Sequence, residues 1–373
     1  MPHVLSDDQV RLLRARAQGL GAERPRAGVD GVVRRVVGVQ AQVASAGALS
    51  VRARSAGLTL DDVERARVEE RSVARVWCMR GTLHLVATED LGWLLGLLGP
   101  IGVGAAARRR AELGLGEDAY ASALAATAAA LGDRGPLTRA ELAAELASRG
   151  IDVSGQRAPH LLARAALEGV LCHGPDRAGK PTFVLMSDWA SLPAPVERET
   201  ALAELARRYL AAYGPAGPRD LAAWSGLPLR DARAAWQGIA EGLVEVAVRG
   251  EPAWVLEGAP LAPPLGEDPV VRLLPLFDTY LLGYRGRDVA VEPSFARRVL
   301  PGGGWLHPTV ATDGRVVATW RSERRRRLLE VEVEPFEGLE RGVRAHLTGE
   351  AEDVARFLDV PLGELRVGAR QSS

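Results

Sequence analysis

Two stretches of this 373-residue chain open alike, Gly135-Pro136-Leu137-Thr138-Arg139-Ala140-Glu141-Leu142-Ala143 and Gly214-Pro215-Ala216-Gly217-Pro218-Arg219-Asp220-Leu221-Ala222. A similar succession of patterns follows each. In the first, Thr138 and Glu141 stand three apart, the spacing at which two side chains cap a helix start reciprocally, and this predicts a helix to about residue 148. A second helix is predicted over about 159–168, then short strands near 169–173 and 182–186. In the later copy, helices over about 197–213, 219–224 and 229–238 precede strands near 243–248 and 253–256, with Arg249-Gly250-Glu251 as the turn. Two helices and then a hairpin is the order of a winged helix, which offers one helix to a DNA groove while the hairpin reaches neighbouring phosphates.

The amino-terminal segment fits a divergent third copy. Its patterns predict helices over about 7–17, 30–39, 46–55 and 60–69, then an extended stretch over 72–86. An alanine-rich helical connector, about 89–131, leads to the second unit. After Pro263-Pro264 the character changes to β-rich: a strand over 271–277, a hairpin in 309–320 whose Asp313-Gly314 favours a type I′ turn, a strand over 328–333 and a helix over 339–357. The predicted division is therefore 1–95, 96–133, 134–190, 191–260 and 265–373, an α+β protein of three tandem winged-helix units, a connector and a small C-terminal β-rich domain. That agrees with the two to four domains expected at this length.

Composition narrows the partners only a little. The 47 basic and 47 acidic residues cancel, so any nucleic-acid surface must be a local patch. Lys180 is the only lysine, a bias of the kind a GC-rich genome imposes, so arginine abundance alone says little about phosphate binding. Cys78 and Cys172 form no C-x-x-C unit, which argues against a zinc site and fits a reducing compartment. Neither a signal-peptide pattern nor a long apolar run is found, so a cytoplasmic protein without metal, cofactor or membrane partner is expected.

Between two helix-like stretches lies Gly38-Val39-Gln40-Ala41-Gln42-Val43. Val32, Val33, Val36 and Val37 have helical spacing upstream, and Ser45 is the expected N-cap downstream. Residues two apart on a helix point to different faces, so Gln40 and Gln42 can meet one ligand only from a turn, a helix end or an extended segment. They are either two ordinary surface amides or a pair that orients one water or sugar-phosphate, since each amide both donates and accepts. Glutamine is no base, so such a pair supports attack only where the leaving group departs readily and positioning does most of the work.

Other candidates are weighed in the same way. Arg321, Arg324, Arg325, Arg326 and Arg327 form the densest positive segment, either a solvated cluster or a phosphate contact. Asp278, Tyr280, Tyr284 and Arg285 follow the 271–277 strand; the tyrosines suit a core or interface, and Asp278 suits a helix cap or an acidic site residue. His84 belongs to Trp77-Cys78-Met79-Arg80-Gly81-Thr82-Leu83-His84, where a structural role competes with a catalytic one. No Walker loop, dinucleotide fingerprint, Ser-His-Asp order or H-E-x-x-H helix emerges.

Four segments, 39–42, 79–86, 274–285 and 304–310, together resemble the AlkZ/YcaQ family of bacterial winged-helix DNA glycosylases, in the right order across nearly the whole chain. The resemblance implies three winged-helix units and a barrel-like domain in a C shape around duplex DNA, and excision of N7-alkylated purines. In that family a Q-Φ-Q pattern marks the AlkZ branch, so the catalytic role passes to Gln40 and Gln42; Ala41 is smaller than the aliphatic residue expected between them. It further implies a monomer acting on double-stranded DNA, on bulky adducts or interstrand cross-links, in repair or in self-resistance to a genotoxic natural product. Asp313-Gly314 is then the expected minor-groove probe. Two other readings stay open: a non-catalytic winged-helix regulator, and a metal-free hydrolase with Asp278 as base.

Overall fold

The computed structural model describes residues 3–192, 196–261, 266 and 268–368; Pro263-Pro264 and the ends of the predicted C-terminal domain lie outside them. The chain begins with β1 (His3–Leu5) and α1 (Asp7–Ala17), followed by α2 (Val29–Arg35), β2 (Val39–Gln40), α3 (Ala44–Arg54), α4 (Leu60–Val68), β3 (Val73–Trp77) and β4 (Leu83–Ala87). Next come α5 (Leu91–Ala105), α6 (Ala107–Glu112), α7 (Glu117–Arg134), β5 (Leu137–Thr138), α8 (Arg139–Ser148), α9 (Arg157–Leu167), β6 (Leu171–His173), β7 (Thr182–Leu185) and α10 (Met186–Trp189). The third stretch holds α11 (Arg198–Tyr213), α12 (Pro218–Ser225), α13 (Leu229–Gln237), β8 (Leu243–Val248) and β9 (Glu251–Leu256). The last holds β10 (Val271–Leu274), α14 (Thr279–Leu282), α15 (Ala296–Val299), β11 (Thr309–Thr312), β12 (Arg315–Arg325), β13 (Leu328–Pro335), α16 (Arg341–Phe357) and β14 (Leu362–Val367).

One order recurs three times: a helix, a short extended segment, two helices and a hairpin. In each case the short segment pairs with the second hairpin strand. β2 pairs with β4, β5 pairs with β7, and Ala216 bridges Trp254 on β9. The Thr138 and Glu141 capping box starts α8 as the spacing requires. Asp220 caps the backbone at Gly217 before α12 in the corresponding place.

The hairpins do not stand apart. Arg75 on β3 pairs with His173 on β6, so the first two hairpins merge into one six-stranded sheet, β2-β4-β3-β6-β7-β5. Trp77 stacks on His173 at 5.3 Å across that junction. The third hairpin takes β1 as a parallel neighbour of β8. The C-terminal sheet has the linear order β10-β11-β12-β13-β14, backed by α16, so among the described strands it is open, where a barrel-like domain was expected.

Several boundaries differ from expectation. The helix predicted to residue 39 ends at Arg35, because the β-branched run turns through Val37 (φ 56°) and Gly38 (φ 107°) into β2. The next helix is capped at Val43 without a side-chain bond, not at Ser45. The helical connector consists of three helices, α5, α6 and α7. The strand predicted to residue 277 stops at Leu274, ahead of Pro275, and the third hairpin turns on Arg249-Gly250 alone, with Val248 opposite Glu251.

Helix α3, just downstream of the glutamines, anchors the first repeat to the C-terminal part of the chain. Arg52 and Arg54 are fully buried on it. Arg52 meets Glu350 and Asp353 of α16 and the Leu273 carbonyl of β10. Arg54 meets Asp278 through both terminal nitrogens, at 2.9 and 2.7 Å. Charges this deep persist only when paired and hydrogen-bonded, so these contacts fix the first repeat against the C-terminal sheet.

Candidate active site

Neither glutamine is helical. Gln40 ends β2, directly opposite His84 on β4, and Gln42 lies in the bend before α3. This extended geometry meets the condition that allows residues two apart to serve one face. Gln40 is largely buried and Gln42 exposed. Ala41 is buried beneath them, and a Cβ on Gly47 of α3 would come within 2.8 Å of the Ala41 Cβ. The small residue between the glutamines therefore matches a close approach of helix to strand.

The backbone of the motif is held on both sides. Upstream, the Tyr213 hydroxyl donates to the Val36 carbonyl at 2.9 Å. Downstream, the buried Arg75 donates to the carbonyls of Ala41 at 3.0 Å and Gln42 at 3.4 Å. Burial lowers the Arg75 pKa.

Both side-chain amides are oriented by groups that can only donate. Arg80 Nη2 donates to Gln40 Oε1 at 2.9 Å, and the Leu83 backbone N–H donates to Gln42 Oε1 at 3.2 Å. An arginine and a peptide N–H have no acceptor to offer, so the amide oxygens must face them and the NH₂ groups must face away. Neither NH₂ has a protein partner among the described residues. Each oxygen also keeps a second lone pair, so both amides can still donate to and accept from a ligand.

His84 is buried beside Gln40, and its Nδ1 lies 2.9 Å from the Thr82 carbonyl, to which it must donate. Burial, reinforced by the Arg80 charge, pushes the imidazole pKa down to about 3. It is a neutral neighbour of the motif.

The other predicted residues are dispersed. Asp278 is buried and saturated: besides Arg54 it accepts from Ser50 Oγ at 2.8 Å and from the Tyr280 backbone at 2.9 Å, as N-cap of α14. Burial alone would raise its carboxyl pKa, but Arg54 and the other donors bring it below the usual value. That geometry is a structural clamp and leaves no position for a substrate, against the reading of Asp278 as a base. Tyr280 is buried with its hydroxyl on the Gly314 carbonyl at 2.8 Å. Tyr284 is buried under the Arg14 guanidinium, 3.7 Å from the ring centroid. Arg285 is exposed, and its backbone N–H meets Asp220.

Asp313-Gly314 does form the two-residue turn expected, with φ of 47° and 78°, but it is no free probe. A Cβ at Gly314 would lie 2.5 Å from the Tyr280 hydroxyl and 2.9 Å from the Arg11 carbonyl of α1. The protruding hairpin is the next one. There Arg325 pairs with Leu328 across a turn at Arg326 and Arg327, and residues 321–328 are all exposed. Arg321 is tied to Glu332, and Arg325 to Glu323 and Glu330. Arg324, Arg326 and Arg327 have no ion-pair partner among the described residues.

Sequence reasoning passed over Arg75 and Arg80 as supports of the motif; their only signal was a place in the hairpin facing it. It also missed the buried Arg54, whose partner lies 224 residues away.

Residues 33–357 match the family described as DNA glycosylase AlkZ-like. An interstrand DNA cross-link repair glycosylase of Streptomyces sahachiroi is 34% identical over 363 residues, 92% of this chain and 94% of the relative. The solved structure of the Streptomyces sahachiroi DNA glycosylase AlkZ matches with a TM-score of 0.81 at 32% identity, covering 98% of this chain and 100% of that one. The α+β fold and its full-length relatives define a DNA glycosylase. More narrowly, the chain belongs to the AlkZ-like DNA glycosylase family.

Proposed function

We propose that this protein is a monofunctional glycosylase that hydrolyses the N-glycosidic bond of N7-alkylguanine in duplex DNA, including bulky adducts and interstrand cross-links. The three repeats are taken as winged-helix units within 1–95, 134–190 and 191–260, with the leading helix of the second, α7, belonging to the connector at 96–133, and followed by a C-terminal domain from 265, acting as a monomer. The relative from Streptomyces sahachiroi is named for repair of interstrand cross-links, which supports the substrate class, and repair or self-resistance is the corresponding role.

The observation that carries the reading is the pair of oriented amides at Gln40 and Gln42. Alkylation at N7 gives guanine a positive charge, so the base leaves as a neutral group without a general acid. The protein has mainly to place water and stabilise charge as the oxocarbenium develops. Two amides with fixed carbonyls can hold one water against the anomeric carbon, accepting hydrogen bonds from it through their remaining lone pairs, and the proton the water loses on attack passes to solvent. A base cross-linked to the opposite strand cannot swing freely out of the helix, and an exposed Gln42 at an open strand end suits a substrate that stays in the duplex.

Arg324, Arg326 and Arg327 are the cations on the protruding hairpin with no ion-pair partner among the described residues, and phosphates are the partners they suit. The direct test incubates the purified protein with duplex carrying N7-methylguanine and follows free base and alkali-labile abasic sites. Release of N7-methylguanine from this duplex and of no base from unmodified duplex is expected. Binding without any base release would refute the enzymatic reading of this site.

A further inference from the structure

Arg80 occupies a position built with more constraint than an ordinary surface arginine requires. It takes up a left-handed conformation, φ 55° and ψ 19°, inside the short turn between β3 and β4, which costs a non-glycine residue energy. It is exposed to solvent yet surrounded on most sides by protein, and that burial lowers its pKa, with Arg287 close enough to lower it further. Such a residue would ordinarily hold a carboxylate. Arg80 holds none among the described residues: one terminal nitrogen donates to the Trp224 carbonyl and the other to Gln40 Oε1.

The two acceptors belong to different repeats. Trp224 lies in the last turn of α12, where backbone carbonyls lack helical partners and the helix dipole favours a cation. Gly226, the left-handed residue that ends α12, packs on Arg80 so tightly that an added Cβ would lie 3.3 Å from its Cα and from its backbone nitrogen. A terminal amide rotates easily between two orientations that exchange oxygen and nitrogen. The donor from Arg80 removes that freedom at Gln40.

We propose that Arg80 is a positioning residue, whose planar fork is braced on the Trp224 carbonyl and turns the Gln40 oxygen inward and its NH₂ outward, so that the orientation of the reacting amide depends on the third repeat docking on the first. This rests on the reading of Gln40 as a catalytic residue. A lysine cannot replace it, because one ammonium on a flexible stem does not reproduce two donors in a fixed plane.

The test is single-turnover excision of N7-methylguanine at saturating enzyme, alongside the affinity for an intact duplex of the same sequence. Arg80→Lys keeps the charge and is expected to slow excision by about 10- to 100-fold, the range for a misplaced reacting group, while duplex affinity changes by less than about threefold. In a Gln40→Ala background the same change is expected to cause no further slowing, whereas in a Gln42→Ala background it slows excision again. Should Arg80→Lys fail to fold, Gly226→Ala, which substitutes no site residue but strains the left-handed end of α12 and presses on the Arg80 backbone, carries the same expectations. Wild-type excision by these variants, or equal slowing with and without Gln40, would overturn the role of Arg80 while Gln40→Ala itself remains slower than the wild type but measurable. Wild-type excision by Gln40→Ala itself would instead remove the catalytic reading, and the positioning role with it.

Discussion

His84 stands directly opposite Gln40, where sequence alone leaves a catalytic histidine open, yet burial holds its pKa at about 3 against an ordinary 6.5. The folded value lies below the unfolded one, so the native state favours the neutral ring. Its stabilising effect is complete above pH 6.5 and is lost as the pH falls toward 3. Two outcomes follow. The excision rate should show no His84 inflection between about pH 5 and 8, and the loss of urea stability on acidification should be smaller in His84→Gln than in the wild type. Asp278 behaves in the same sense: its pKa is lowered too, so its contribution is present above the ordinary carboxylate value and is lost as the pH falls through the lowered folded value. Asp278→Asn leaves Arg54 buried without a counter-charge and should cost about 3–5 kcal/mol in urea unfolding. A stable Asp278→Asn protein that has lost excision would instead restore the base assignment. The carboxylate itself was visible in the sequence, but its use was not, because helix capping, ion pairing and acid–base chemistry employ the same residue type.

At the scale of elements, local chemistry was the legible part. Thr138 and Glu141 cap α8 because both partners lie within one turn, and Asp313-Gly314 turns tightly because only two consecutive left-handed residues close that hairpin. Illegible were the pairings between elements distant in sequence: the parallel pairing of β1 with β8, the bridge from β3 to β6, and the seating of Gly314 on α1. The position of Gly314 moves the expected DNA probe from the Asp313-Gly314 turn to the β12–β13 hairpin. If Arg324 and Arg327 bind phosphates, replacing both with alanine should weaken duplex binding at all sequences. It should also reduce the slope of log affinity against log salt by about 0.9 for each phosphate no longer neutralised. An unchanged salt slope, measured by fluorescence anisotropy, would make this hairpin a solvated charge cluster.

Across the whole molecule, the glutamine motif lies where several parts of the chain meet. The second hairpin extends its sheet, α11 holds Val36, α12 braces Arg80, and α3 ties it to α16 and the C-terminal sheet. This explains why a net charge of zero and a two-glutamine pattern said so little alone. In the proposed mechanism the relevant chemistry is the fixed direction of two neutral amides, and that direction is set by Arg80 and Leu83 after folding. In that proposed mechanism, neutral amides also limit the substrate to one that brings its own cationic leaving group. The central claim is tested most directly by single-turnover release of N7-methylguanine from duplex DNA by the wild type and by the Gln40→Ala, Gln42→Ala double variant, both checked for folding by circular dichroism. The wild type should release the base, and the double variant should be slower by about 100-fold or more, the scale on which losing oriented polar groups acts. Equal rates for the two proteins would contradict the account.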